Sequence, residues 1–96
     1  MEEIFEWDKE KNKKLIKERD ISFEAIIAHI EAGDLLATIP GRGKYLHQKQ
    51  FIVMVDNYVY IVPFVENNER VFLKTIIPSR QMTKRYLLGG DPNEEI

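Results

Sequence analysis

The stretch from residue 51 to residue 77 constrains this chain most. Segments 51–55, 58–65 and 71–77 are dense in Val, Ile, Phe and Tyr, the residues that suit a pleated, half-buried surface. Only Asp56-Asn57 and Glu66-Asn67-Asn68-Glu69 separate them, so they read as two hairpins in an antiparallel meander. A two-residue turn sets Val55 opposite Tyr58, and a four-residue loop sets Val65 opposite Arg70. Side chains alternate along a strand. Phe51, Val53, Val55, Tyr58, Tyr60, Val62, Phe64, Val71, Leu73 and Ile77 then share one face, and Ile52, Met54, Val59, Ile61, Phe72, Lys74 and Ile76 the other. Pro63 lacks an amide hydrogen and calls for a bulge or an outward-facing position. Both faces are apolar, so the sheet needs cover on two sides.

Helices are expected on either side of the meander. Asp8 is placed to cap a very polar helix over 9–19, in which only Leu15 and Ile16 are available for burial. Ser22 caps a second helix over 23–32, whose Phe23, Ile26, Ile27 and Ile30 recur at helical spacing, and Gly33 ends it. Residues 4–7 read as an edge strand with Trp7 as a core anchor, and 35–39 as extended chain. Pro78 stops the last strand, and Ser79 caps a final helix from Arg80 to about Leu88. Gly89-Gly90-Asp91-Pro92 ends that helix, and 89–96 read as an acidic, flexible tail. The order β-α-α-(β)-β-β-β-α is α+β: two N-terminal helices, an antiparallel meander of three to four strands and a C-terminal helix. With 96 residues there is room for one domain, its core spanning about 4–88. Three helices cannot cover both sheet faces, so one face is expected to stay partly open.

Composition narrows the chemistry. There is no cysteine, which excludes thiol catalysis, disulfides and Cys-based zinc sites. His29 and His47 are too few for a histidine-rich metal centre, so neither a metal nor another cofactor is expected. No apolar run is long enough to span a bilayer, and the acidic start is unlike a secretion signal. The Lys-rich first helix has too little apolar surface for a membrane interface. A cytoplasmic location without a membrane partner is therefore expected.

The net charge is only −2, but the acids are unevenly spread. Residues 35–55 contain none and carry Arg42, Lys44, His47 and Lys49. Residues 70–90 contain none and carry Arg70, Lys74, Arg80, Lys84 and Arg85. Such stretches either form one positive surface for phosphates or are solvated strands and helix faces. Arg80 and Lys84 lie four apart on one helix face and can address one phosphate together, with Arg80 in the anion-favouring first turn. Lys74, inside an apolar strand, either snorkels at a buried edge or is catalytic. His47 has the proton-transfer chemistry of an imidazole, or is a solvated loop side chain. Tyr86 packs onto the sheet with Met82, or stacks and moves a proton. The glycines of Gly41-Arg42-Gly43-Lys44 suit a phosphate wrap but lack the spacing of a P-loop.

Phe5-Glu6-Trp7-Asp8, Lys11, Ile21-Ser22-Phe23-Glu24 and Thr75-Ile76-Ile77-Pro78-Ser79-Arg80 with Thr83, Lys84 and Tyr86 resemble the BrnT family from Phe5 to about Leu87. BrnT proteins are toxins of bacterial type II toxin–antitoxin pairs with a RelE-like fold. The resemblance implies metal-independent RNA cleavage by attack of a ribose 2′-hydroxyl on the adjacent phosphate. It also implies restraint by a small antitoxin of the ribbon-helix-helix type, and operator DNA binding only through that complex. On this basis Lys74, Arg80, Lys84, His47 and Tyr86 are the expected catalytic residues, and Arg42, Lys44, Lys49 and Arg85 the expected RNA contacts. A protein that docks an antitoxin without catalysis is the alternative.

Overall fold

The computed structural model describes residues 4–41, 43 and 48–87. In chain order these are β1 (Ile4–Trp7), α1 (Lys9–Arg19), α2 (Phe23–His29), a π-helical turn (Ile30–Asp34), β2 (Leu35–Pro40), β3 (Lys49–Val55), β4 (Tyr58–Asn67), β5 (Arg70–Leu73), β6 (Ile77–Pro78) and α3 (Arg80–Leu87). The architecture is α+β, with three helices on a six-stranded sheet ordered β1-β5-β4-β3-β2, and β6 pairs with β4 off that path. Leu88, the expected tail 89–96 and the loop residues Arg42 and 44–47 lie outside the described residues.

The helix starts form as their caps dictate. Asp8 Oδ1 accepts the amides of Glu10 at 2.8 Å and Lys11 at 3.3 Å, and Ser22 Oγ accepts that of Ala25 at 3.0 Å. The α2 helix is shorter than its apolar spacing suggests. It loosens into the π-turn after His29, and Gly33 takes φ 97°, a left-handed conformation that costs an L side chain strain. His29 Nδ1 lies 2.8 Å from Asp34 Oδ2 and ties the two ends of that turn. On α1, Leu15 is buried as expected, while Ile16 stays 47% exposed. The buried partner of Leu15 on this helix is instead Asn12.

The first hairpin follows the local code. Asp56 and Asn57 both have positive φ (52° and 64°), the requirement of the turn that matches strand twist, and Val55 faces Tyr58. The pairing then runs without a shift to Lys49 opposite Phe64. Pro63 needs no bulge. Its carbonyl accepts the Lys74 amide at 2.8 Å, and its missing N–H points the same way. That side faces Lys74, one residue past the end of β5, so the proline stands where the β4–β5 ladder stops and forgoes only the return bond to Lys74. The second hairpin is tighter than a four-residue loop: Asn67 faces Arg70, and Phe64 faces Leu73 rather than Val71. Because this slip is two residues, it leaves every side chain on its expected face.

Two corrections come from long-range pairing. The sheet is mixed, not an antiparallel meander, because β1 pairs parallel with β5. The last strand is also broken: residues 74–76 leave the ladder, and β6 resumes opposite Ile61 and Tyr60. The break shifts the alternation by one position. Ile76 therefore joins the core and Ile77 turns outward at 41% exposure, the reverse of the expected assignment. Arg19 on α1 donates to the Ile76 carbonyl and holds this passage.

The main core lies between α1, α2 and the face bearing Phe51, Val53, Val55, Val62, Phe64, Val71 and Leu73. Phe51 and Phe64 stack at 3.9 Å, and Trp7 stacks on Phe23 at 5.9 Å. Burying a side chain such as Phe23 or Ile26 contributes about 1.5–3 kcal/mol. On the other face Ile52 and Val59 are fully buried, and α3 is the helix that packs on β4. Elsewhere on that face Pro63 is buried and Met54, Ile61 and Val65 are half-buried, while Phe72 and Ile77 are exposed.

Candidate functional site

A cleft of about 330 Å³ sits on the open part of the second face, floored by Pro63 and Ile77 and walled by Gln48, Gln50, Lys74 and Thr75, with Gly41 at its rim. Local structure builds it. Gln48 and Gln50 are two apart in extended chain, so both amides meet the same side. Pro63 faces Gln50 across the β3–β4 ladder. The break at 74–76 brings Lys74 and Thr75 over the gap left beside Pro63. Gly41 donates to the Gln48 carbonyl at 2.8 Å, closing the base of the loop that contains Arg42, Lys44 and His47. Those three candidates themselves lie outside the described residues.

Among the described residues the cleft has one charge, and it is positive. Lys74 is exposed and stands just past the end of β5 rather than inside a strand, because Pro63 receives its amide at the point where the ladder changes partners. Its Nζ lies 5.4 Å from the centroid of the Phe72 ring, an attraction that positions the ammonium without neutralising it. Among the described residues no carboxylate lines the cleft.

The other expected residues fall into three groups. Arg80, Lys84 and Arg85 are exposed on α3, and none joins an ion pair among the described residues. Thr83 points inward, so Arg80 and Lys84 emerge together on one flank of the helix and Met82 and Tyr86 on the other. The helix begins three residues after Ile77 of the cleft floor, yet of Lys74, Arg80 and Lys84 only Lys74 lines the cleft. Met82 is half-buried, and Tyr86 one turn later is 41% exposed. Lys49 is separated from the cleft. It alternates with Gln50, so it points to the opposite face, where its Nζ meets Glu66 Oε1 at 3.0 Å.

Two further hollows have different chemistry. One of about 350 Å³ is lined by Asp20, Asp56 and Tyr60 beside Ile16 and Val55. Burial pushes the Tyr60 hydroxyl pKa up, and the charges of Asp56 and Asp20 add to the rise. This hollow repels phosphate. A larger one, about 570 Å³, lies between β1 and the start of α1, with Trp7, Phe72, Lys9 and Glu24 in its walls. The β1–α1 hollow carries Lys9 and Lys13 but also Glu6 and Glu24, so of the three the Lys74 cleft is the one with a positive charge and no carboxylate among its described lining residues.

The glutamines escaped the sequence reading because an amide carries no charge pattern. The signal present was a pair of Gln residues two apart at the entrance of an otherwise apolar strand. No helix among the described residues is long and apolar enough to cross a membrane. Set against known protein families, curated proteins and solved structures, the chain matches none of them.

Proposed function

We propose that this chain is a BrnT-like, RelE-type toxin that cleaves RNA without a metal and is neutralised by a small antitoxin of the ribbon-helix-helix kind. The observation that carries the reading is Lys74 in a cleft with no carboxylate among its described residues, and Arg80 and Lys84, without an ion pair among the described residues, on one flank of the helix that starts beside it. The motif set from Phe5 to Leu87 supports it. In the reaction a ribose 2′-oxygen bonds to the adjacent phosphorus, the 5′-oxygen leaves, and a 2′,3′-cyclic phosphate remains. The 2′-hydroxyl proton passes to a base, and a proton is returned to the 5′-oxygen. Fixed cations stabilise the charge that builds on the phosphorane oxygens. Lys74, Arg80 and Lys84 are the residues for that work, and His47 and Tyr86 those for proton transfer. Arg42, Lys44 and Arg85 would hold the RNA backbone. Operator DNA would be bound only through the antitoxin complex, inside the cytoplasm.

Expression of the chain alone in bacteria tests this. Growth should stop and messenger RNA should be cut. Lys74→Ala, and separately Arg80→Ala with Lys84→Ala, should relieve both effects. Intact RNA with well-expressed, folded wild-type protein would overturn the reading. A second reading, an antitoxin-docking protein without catalysis, is favoured by the exposed Phe72, Ile77 and Tyr86 and by the absence of Arg80 and Lys84 from the cleft lining. Tight complex formation with a neighbouring gene product, together with inert RNA, would select it.

A further inference from the structure

We infer that the Lys74 cleft is a single-nucleotide subsite that reads adenine in unpaired RNA through Gln48 and Gln50. The inference deepens the RNA-directed reading, but its test does not depend on catalysis. At about 330 Å³ the cleft is at the small end of ligand pockets, fit for one nucleotide rather than a helix groove. Ile77, 41% exposed, offers an apolar contact for a base face, with the buried Pro63 beneath it.

The two amides decide the base. Neither the Gln48 nor the Gln50 side chain forms a hydrogen bond among the described residues, although both are half-buried. Half-buried amides with no partner among the described residues have donor and acceptor capacity that a ligand can use. Each carboxamide offers a donor next to an acceptor. Adenine alone carries the complementary pair on both edges, N6–H with N1 and N6–H with N7. Guanine shows two acceptors on its N7/O6 edge, which suits Arg or Lys. The pyrimidines have one such edge only. Unpaired RNA is the form in which both edges are reachable. Lys74, held beside Phe72, then takes the phosphate of the same nucleotide.

Fluorescence anisotropy with labelled, 2′-O-methylated hexamers of A, U and C tests the proposal, because these RNAs bind but cannot be cut by 2′-hydroxyl attack. The A hexamer should bind about tenfold tighter than the others, the discrimination expected of one good two-bond contact. Gln50→Leu should reduce that ratio below about threefold while leaving the melting temperature near wild type, and Gln48→Leu provides a second variant if the first fails to fold. Lys74→Ala should weaken all three hexamers alike. Equal wild-type affinity for A, U and C, or an A preference that survives loss of both glutamines, would overturn the inference. An A preference in a protein that leaves natural RNA intact would retain the subsite and remove the catalytic reading. Cleavage without base preference would do the reverse.

Discussion

Thr83 of α3 reaches back across the chain to Val59: its Oγ1 accepts the buried Val59 amide at 2.8 Å and donates to the Ser79 carbonyl at 2.7 Å. On the edge of β4 away from β3, β6 pairs only with Tyr60 and Ile61, so at Val59 this hydroxyl substitutes for a strand partner and seats the helix that carries Arg80 and Lys84. Thr83→Val keeps the shape and removes the bonds. We expect a loss of about 1–3 kcal/mol, the cost of orphaning a buried donor, seen as a fall in melting temperature of about 4–8 °C per kcal/mol in a domain of this size. Arg80→Ala and Lys84→Ala, both exposed, should change urea unfolding by less than about 0.5 kcal/mol.

Asn12 plays the same part for α1 and α2. Its Nδ2 donates to Glu24 Oε1 and its Oδ1 accepts the buried Phe23 amide, each at 2.8 Å. Asn12→Ala leaves that amide without a partner and should cost about 1–3 kcal/mol. Asn12→Asp should recover the bond to Phe23 but set two carboxylates together. Urea melts of the two variants at neutral pH separate these effects.

Glu24 links that contact to pH. The Asn12 amide first, then a backbone bond and the Ser22 hydroxyl, hold its carboxyl below the ordinary value of 4.5 against a small opposing effect of burial. A pKa lower in the folded state stabilises the fold at pH values above the unfolded pKa. That contribution should fade as pH falls from about 4.5 through the folded value. It should be modest, because the carboxylate is exposed to solvent. Unfolding free energies measured from pH 6 to pH 3 should therefore drop less steeply for Glu24→Gln than for wild type. Equal slopes would show that Glu24 is not the linked group.

The Lys49–Glu66 pair predicts a negative result. Both side chains are largely exposed, so the bridge is worth about 0–1 kcal/mol and weakens in salt. Lys49 also faces away from the cleft and is already partnered. Lys49→Ala should leave RNA affinity within about twofold of wild type, whereas Lys74→Ala should weaken it several-fold. Anisotropy at fixed salt distinguishes the two.

Among the basic residues the separation between these two lysines was not legible in the sequence, where both sit in acid-free stretches. The caps Asp8 and Ser22, the Asp56-Asn57 turn and the two faces of the β3–β4 hairpin were legible, because each depends on residues within a few positions of one another. Even the misjudged second turn kept its faces, since alternation repeats every two residues. Parallel pairing of β1 with β5, the gap at 74–76 and the inward turn of Asn12 depend instead on segments far apart in the chain. Ile76 and Ile77 illustrate the point. Both are isoleucines in an apolar run, and only the change of partner beside Pro63 decides which one enters the core. The chain's own pattern thus determined its α+β class, its helix starts and a sheet apolar on both sides. Which part of the second face α3 leaves uncovered, and hence that Gln48, Gln50 and Lys74 share a cleft, was decided by tertiary packing, because exposure is set by what the rest of the fold covers.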